Sequence, residues 1–404
     1  MPENKDNKIL NVPNLRFPEF KEEWKKCRFK DVVRLFRGSS PRPIIEYLTT
    51  DNEEGVNWVK IGDVPTSGRI ITSTEEKITK EGAKKSRHVY VGDLILSNSM
   101  SYGLPYIMGI EGCIHDGWFV LRDYEQNFNK DYLCNLLISD IVQKQYKKIA
   151  AGGVVQNISS DLVNSVYISI PSLDEQRKIA GLLSLIDERI STQNKIIEDL
   201  KKLKSAIIEW HYGQVEKQNV CIGDLGEPFN VGNLAKEDLT ETGMPCIIYG
   251  ELFTTYGETI SQIESHTNKA EGMILSKKGD LLFPSSTTVD AMSLIAPSVI
   301  NVDGVILGGD MFGIHITPNS NAQYLSYYFN HIAKRQLAKF AKGSTIIHLH
   351  YADIEKAKLL LPSLEEQNRM ANCLISLDTK INIESIFISL LNSQKAYLLR
   401  QMFI

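Results

Sequence analysis

The sequence is short of several things that commonly announce a function. No apolar run approaches the ~18–20 residues needed to span a bilayer. The N-terminus, Met1-Pro-Glu-Asn-Lys-Asp-Asn-Lys8, is polar and has no apolar core of the signal-peptide kind. There are six cysteines, Cys27, Cys113, Cys134, Cys221, Cys246 and Cys373, and none forms a Cys-x-x-Cys pair. That spacing argues against a zinc ribbon and against a disulfide framework. A cytoplasmic protein with reduced thiols is the simplest expectation. Strong charge is also missing, with 45 Lys+Arg against 49 Asp+Glu and a net charge of -4. Any nucleic-acid contact must therefore come from local basic patches.

Catalytic signatures are missing too. The chain has no Walker P-loop and no Gly-x-Gly-x-x-Gly fingerprint. It has no Gly-x-Ser-x-Gly elbow that would expose a nucleophilic serine. It also lacks the (Asn/Asp)-Pro-Pro-aromatic motif of DNA amino-methyltransferases, and any Pro-Asp pair of the kind that opens a nuclease carboxylate cluster. His348-Leu-His350 puts two imidazoles on one strand face, but only Asp353 stands at supporting spacing. No metal site is expected from them.

What is present is a repeat. Pro171-Ser-Leu-Asp-Glu-Gln176 recurs as Pro362-Ser-Leu-Glu-Glu-Gln367, 191 positions later, and about forty helix-compatible residues follow each copy. Such a period points to duplicated domains. The boundaries read as a first module at 1–170, a helix at 171–212, a second module at 213–361 and a second helix at 362–404. Ser172 with Glu175, and Ser363 with Glu366, fit a capping box. Apolar residues then fall on a heptad seam: Ile179, Leu182, Ile186, Ile196, Leu200, Leu203, Ile207 and Trp210, then Met370, Cys373, Leu377, Phe387, Leu391 and Leu398. A seam of this kind predicts a coiled coil. It is broken at Arg189 and Gln193, and at the matching Lys380 and Glu384. That notch is expected to fix register. Lys195, Glu198, Lys201, Lys202 and Lys204 are placed on a solvated outer face. Ile383, Ile386, Ile388 and Leu390 make the second helix more apolar there and suggest a further partner. The two helices, ~60 Å each, are expected to pair antiparallel.

The modules share anchors. Gly92-Asp-Leu-Ile-Leu96 answers Gly279-Asp-Leu-Leu-Phe283, and a hydroxyl-rich loop follows each. Asp303-Gly304 is matched to Asp116-Gly117, and Lys339–Ser344 to Lys148–Gly153. Pro13–Phe20 is expected to be an extended arm, because its two prolines restrict the backbone. Glu75–Lys85 reads as helix-compatible, Asp131–Lys148 as a helix, and 154–158 as a strand. Residues 1–170 carry 23 basic and 22 acidic side chains, and residues 213–361 carry 11 and 16. The first module is near neutral and the second acidic.

On this order of modules and helices, the Gly-Asp-Leu-(Ile/Leu) strands and the Asn14-Leu-Arg-Phe-Pro-Glu-Phe20 arm, the chain resembles the specificity subunit of a type I restriction-modification system. The resemblance covers nearly its whole length. It implies an α+β chain with two similar α/β target recognition domains, separated by two long antiparallel coiled-coil helices in a pseudo-twofold internal repeat. It implies that each domain reads one half of a split double-stranded DNA target. Two modification (methyltransferase) subunits would dock on the helices, and restriction (translocase/nuclease) subunits would join them. This chain itself would be non-catalytic and bind no cofactor. S-adenosylmethionine would belong to the modification subunits, and ATP and Mg to the restriction subunits.

Arginine, asparagine and glutamine are the usual base readers, while lysine and serine more often hold phosphates. Candidates in the first module are Arg37, Ser39, Ser40 and Arg42, then Lys84, Lys85 and Arg87, then Asn98, Ser101, Tyr102 and Gln156. In the second they are Lys277 and Lys278, then Ser285, Ser286, Thr287 and Thr288, then Lys342, Ser344, His348 and His350. Lys334, Arg335 and Lys339 would add a phosphate-facing helix side. A rival reading is a coiled-coil scaffold whose modules bind protein or carbohydrate. Another is a self-sufficient enzyme on a novel site.

Overall fold

A computed structural model describes residues 10–65, 68–98, 103–150 and 158–404. The chain divides into two compact units, Met1–Lys195 with Ser385–Ile404, and Ile196–Glu384. Both long helices are continuous across the division: Leu173–Gln214 has 42 residues and Leu364–Gln401 has 38. No helix among the described residues is long and apolar enough to cross a membrane.

The first unit holds two five-stranded sheets. One runs Arg34–Arg37, Trp118–Arg122, Leu94–Ser97, Pro105–Met108, Ile70–Ile71; the other runs Leu48–Thr49, Glu76–Ile78, Val56–Val59, Gly112–Ile114, Arg87–Val89. The second unit repeats both orders. One sheet runs Gly226–Asn230, Met311–Ile316, Asp280–Pro284, Ser298–Ile300, Thr259–Ile260; the other runs Leu239–Thr240, Ser265–Thr267, Met244–Ile248, Ile306–Gly308, Ile274–Leu275. The parallel pairs recur in place, Trp58 with Cys113 and Cys246 with Ile306. Each unit also ties its entry to its exit with a two-stranded antiparallel ribbon, Lys25–Arg28 with Tyr167–Ile170 and Gln218–Cys221 with Lys358–Leu361. The Asn14–Phe20 arm is free of helix.

The repeated Gly-Asp turn has a physical reason. Gly92 and Gly279 take φ of 89° and 91°, a region that favours glycine. The aspartates beside them are tied down. Asp93 accepts from the Tyr90 amide at 2.9 Å and from Arg122 at 2.9 Å; Asp280 accepts from the Lys277 amide at 2.8 Å and pairs with His315 at 2.6 Å.

Topology corrects one match. The Asn98 amide donates to the Gly117 carbonyl at 2.9 Å, and the Ser285 amide to that of Asp310 at 2.7 Å. Asp116-Gly117 therefore corresponds to Gly309-Asp310, and Asp303-Gly304 precedes the equivalent strand. Two elements also differ from expectation. Within Glu75–Lys85, Glu76–Ile78 is a strand, and the helix is only Lys80–Lys84, started by the Thr79 hydroxyl. Asp131–Lys148 is not one helix: Lys130–Ile138 and Asp140–Ala150 are separated at Ser139, whose backbone is extended. The expected strand at 154–158 lies outside the described residues except for Ile158.

The repeated hexapeptides form half of a capping box. Ser172 and Ser363 each accept an amide hydrogen bond from the glutamate three residues on, at 3.3 Å. The glutamates do not reach back. Glu175 is taken by Arg16 at 2.7 and 2.8 Å, and Glu366 by His211 at 3.0 Å. The closing glutamines are latches. Gln176 accepts from the Asn129 amide at 2.9 Å and donates to the Pro171 carbonyl at 3.0 Å. Gln367 does the same with Asn321 and Pro362, both at 2.9 Å. Both are buried, which makes each latch expensive to break.

Within each unit the helix segments run antiparallel. In the second unit Lys204 meets Asp378 at 2.6 Å, and His211 meets Glu366 further on. In the first, Lys395 pairs with Asp187, and Arg189 lies over the Phe387 ring. Lys204 and Lys395 are 191 positions apart, as are Asp187 and Asp378, so the same ion pair is used twice. The seam is correspondingly shifted. Ile196, Leu203, Trp210 and Cys373 are exposed, while Ala180, Leu183, Ile208 and Leu374 are buried. Lys204 is buried and does not lie on a solvated face. Gln193 is buried as well, and Lys380 pairs with Glu384 along its own helix. Register is pinned by the repeated lysine–aspartate pair more visibly than by the notch.

Candidate nucleic-acid interface

In the first unit Asp116 gathers four of the candidate residues, two on its carboxylate and two on its main-chain carbonyl. Ser40 donates its hydroxyl to Asp116 at 2.8 Å, and Arg42 approaches the other carboxylate oxygen at 3.4 Å. Arg37 donates to the Asp116 carbonyl at 3.2 Å, and Asn98 does so at 2.9 Å. Around this hub Ser39 donates to the Lys85 carbonyl at 3.1 Å, and Arg87 to the Arg37 carbonyl at 3.3 Å while lying over the Phe36 ring. Lys85 contacts Tyr47, and Lys84 closes the same short helix. Loops far apart in sequence thus meet, and three exposed arginines share one surface. The ion pair to Arg42 is exposed and contributes little to stability. Its use is geometric: most of each guanidinium's five donors stay open to an incoming ligand.

Burial works to raise the Asp116 pKa, but the Ser40 hydroxyl, its own backbone amide, His115 and Arg42 outweigh it and hold it below the usual range. The carboxylate therefore stays charged and keeps the loop together. Asp116 was not singled out by sequence reasoning, which matched it to Asp303 and so missed that the second unit has Gly309 there. Asn98 is buried, with its amide turned to Asp116. Ser101, Tyr102 and Gln156 lie outside the described residues.

In the second unit the loop Ser285–Thr288 is joined to the Lys342–His350 stretch. Ser286–Thr287 pairs antiparallel with Ile347–His348, and Lys342 exchanges backbone hydrogen bonds with His348 at 2.7 and 2.9 Å. Ser285 and Ser286 are buried, while Thr288, Ser344 and His350 are exposed. The rings of His348 and His350 stack at 6.1 Å. Asp353, their supporting carboxylate, is taken by Lys342 at 2.5 Å and by the His350 amide at 3.0 Å. Among the described residues no group of three metal-ligating side chains occurs. Lys277 and Lys278 stand apart from this cluster. They precede the strand Asp280–Pro284, whose other end carries the hydroxyl loop, so ~16 Å of strand separates them.

A cavity of about 840 Å³ opens beside the second cluster, lined by Tyr249, Phe253, Glu258, Thr287, Val289, Lys334, Ile346 and His348 among others. Sequence reasoning missed Tyr249 and Phe253, because isolated aromatics carry no periodic signal. Glu258 sits at this cavity, paired with His331 at 3.0 Å and Lys204 at 3.2 Å. Burial pushes its pKa up, yet the hydrogen bond with His331, the Lys204 ammonium and a backbone bond hold it at about 2.

Two equivalent topologies, each with a loop cluster and each joined to a long helix, define the class of protein. The profile of the type I restriction modification DNA specificity domain matches this chain twice, at residues 21–202 and 214–390. The chain belongs to that family, and its two sheet-rich domains are target recognition domains of a type I specificity subunit. It is 23% identical over 414 residues to the type I restriction enzyme MjaVIII specificity subunit of Methanocaldococcus jannaschii, covering 94% of this chain and 91% of that one. It is 24% identical over 408 residues to the same organism's putative type I restriction enzyme MjaX specificity subunit, covering 93% of this chain and 91% of that one. Among solved structures, the type I S subunit from M. genitalium matches with a TM-score of 0.57 at 14% identity, over 97% of this chain and 99% of that one. A chain solved in work on the complex assembly of the type I R-M system matches with a TM-score of 0.61 at 17% identity, over 93% of this chain and 96% of that one. These last two likenesses speak to the fold.

Proposed function

We propose that this chain reads a bipartite DNA target for a type I restriction-modification complex, one half-site per module. Its partners are two modification subunits carried on the long helices, together with restriction subunits. S-adenosylmethionine is held by the former and ATP with Mg by the latter; this chain binds none of them and performs no catalysis.

The observation that carries this reading is that two modules with one topology present chemically different loop clusters. One is an arginine-rich face organised by Asp116, and the other a hydroxyl and histidine face beside a cavity. Arginine presented this way suits guanine edges, while threonine methyl groups and hydroxyls suit other bases. Shared scaffold with divergent loops is what reading two different half-sites requires. The helices supply a fixed length between readers, and DNA half-sites read from one side are set by helical turns of ~34 Å. The exposed Ile383, Ile386 and Leu390 offer apolar area to a docked subunit.

The test is reconstitution. The chain is mixed with its modification subunit, S-adenosylmethionine and genomic DNA, and methylated positions are mapped. Adenine methylation in one split motif is expected. DNA left wholly unmethylated by a folded complex would overturn the proposal.

A further inference from the structure

The cavity of the second unit has walls of a particular kind. Tyr249 and Phe253 are each 37% exposed, Ile346 50% and Val289 72%. Four large apolar side chains open to water around one concavity are a cost to the free protein, relieved when a flat apolar ligand enters. The volume, about 840 Å³, lies within the range of small-ligand sites. Polar side chains stand beside these walls, Asp310, Asn330 and Ser293 among them. Thr287 and Thr288 bring hydroxyls from the loop after the Gly-Asp strand, and Lys334 brings one ammonium. The Glu258 carboxylate is already committed to His331 and Lys204. Aromatic faces, hydroxyls for a ring edge and a single cation together match a nucleotide: a base to stack, edge atoms to hydrogen-bond and one phosphate.

We propose that this cavity is a nucleoside pocket, filled by a base extruded from the second DNA half-site. The choice of DNA as source rests on the function proposed above. It is favoured because Thr287 and His348 belong both to the cavity and to the candidate DNA face, so the two are continuous. Phe253 and Tyr249 stack on the base, Thr287 meets its edge, and Lys334 holds the flanking phosphate.

The experiment uses the full chain with its modification subunit. Duplexes carry the mapped target with 2-aminopurine substituted at one position of the second half-site at a time, leaving out the adenine that becomes methylated. A several-fold fluorescence rise at one position is expected, because an unstacked 2-aminopurine is no longer quenched. Phe253→Ala and Val289→Ser should abolish the rise, and Phe253→Trp should restore binding; thermal unfolding of each variant confirms folding. In parallel, adenosine monophosphate is titrated into the purified chain by calorimetry. If it binds, and Phe253→Ala weakens it by about tenfold, while the duplexes stay dark, the pocket stands with a free nucleotide as its source. Specific DNA binding with neither a fluorescence rise nor nucleotide binding overturns the pocket and leaves DNA reading intact. Absence of any specific DNA binding overturns the DNA source through the function it rests on.

Discussion

Asp116 shows what a single acceptor does on this surface. It has no counterpart in the second unit; its carboxylate takes Ser40 and Arg42 of the Gly38–Pro43 loop, and its main-chain carbonyl takes Asn98. Asp116→Ala keeps the main-chain contacts to Arg37 and Asn98 but removes the carboxylate that ties Ser40 and Arg42. A loss of one or two hydrogen bonds is of the order of 1–2 kcal/mol, or about tenfold. Methylation rates on DNA altered in each half-site in turn should show about that loss confined to the first half-site. Glu258 acts on stability instead. Its folded pKa of about 2 lies below the ordinary carboxylate value of 4.5. Its contribution is therefore fully present above about pH 4.5 and is lost as pH falls toward 2, amounting to at most about 3 kcal/mol. Urea unfolding of the full chain across pH 6 to 2 should show a steeper acid decline for the wild type than for Glu258→Gln. Equal slopes would count against the pairing.

At the scale of elements, the repeated helices were legible as elements and less so as faces. The hexapeptides marked both starts, and the anchors around Gly92 and Gly279 marked equivalent strands. The buried face was misjudged because it slips by one position, from Ile179 and Ile186 to Lys204, Ile208 and His211. A seam drawn through apolar letters alone follows Leu203 and Trp210, which are exposed. A buried lysine is invisible to that method until its aspartate is known. The Ser139 break was hidden for a similar reason, since apolar spacing continues through it while the backbone does not. Gln176 and Gln367 make the same point: each looks like part of a cap and is in fact a buried latch to a module helix. Gln176→Leu strands the Asn129 amide, with an expected destabilisation of about 1–3 kcal/mol. Chemical denaturation should register it, whereas Leu substitution at exposed Asn194 should leave stability nearly unchanged.

At the scale of the molecule, the order of modules and helices along the chain was readable because duplication wrote it twice. The candidate loop clusters were not, since each is assembled from loops distant in sequence and differs between modules. The proposed spacer role can be tested by length. Four residues inserted in both helices, after Lys195 and after Glu384, add ~6 Å to each. The gap between half-sites should widen by one or two base pairs, with both half-site sequences unchanged; an unchanged gap would reject the spacer.

The most direct measurement of the central claim is methylation-sensitive sequencing of DNA from a host making the modification subunit with either this chain or a hybrid. In the hybrid, residues 1–170 come from a relative. A split motif is predicted for both, with one half replaced in the hybrid and with the other half and the gap retained. An identical motif for both proteins would contradict the assignment of one half-site to each module.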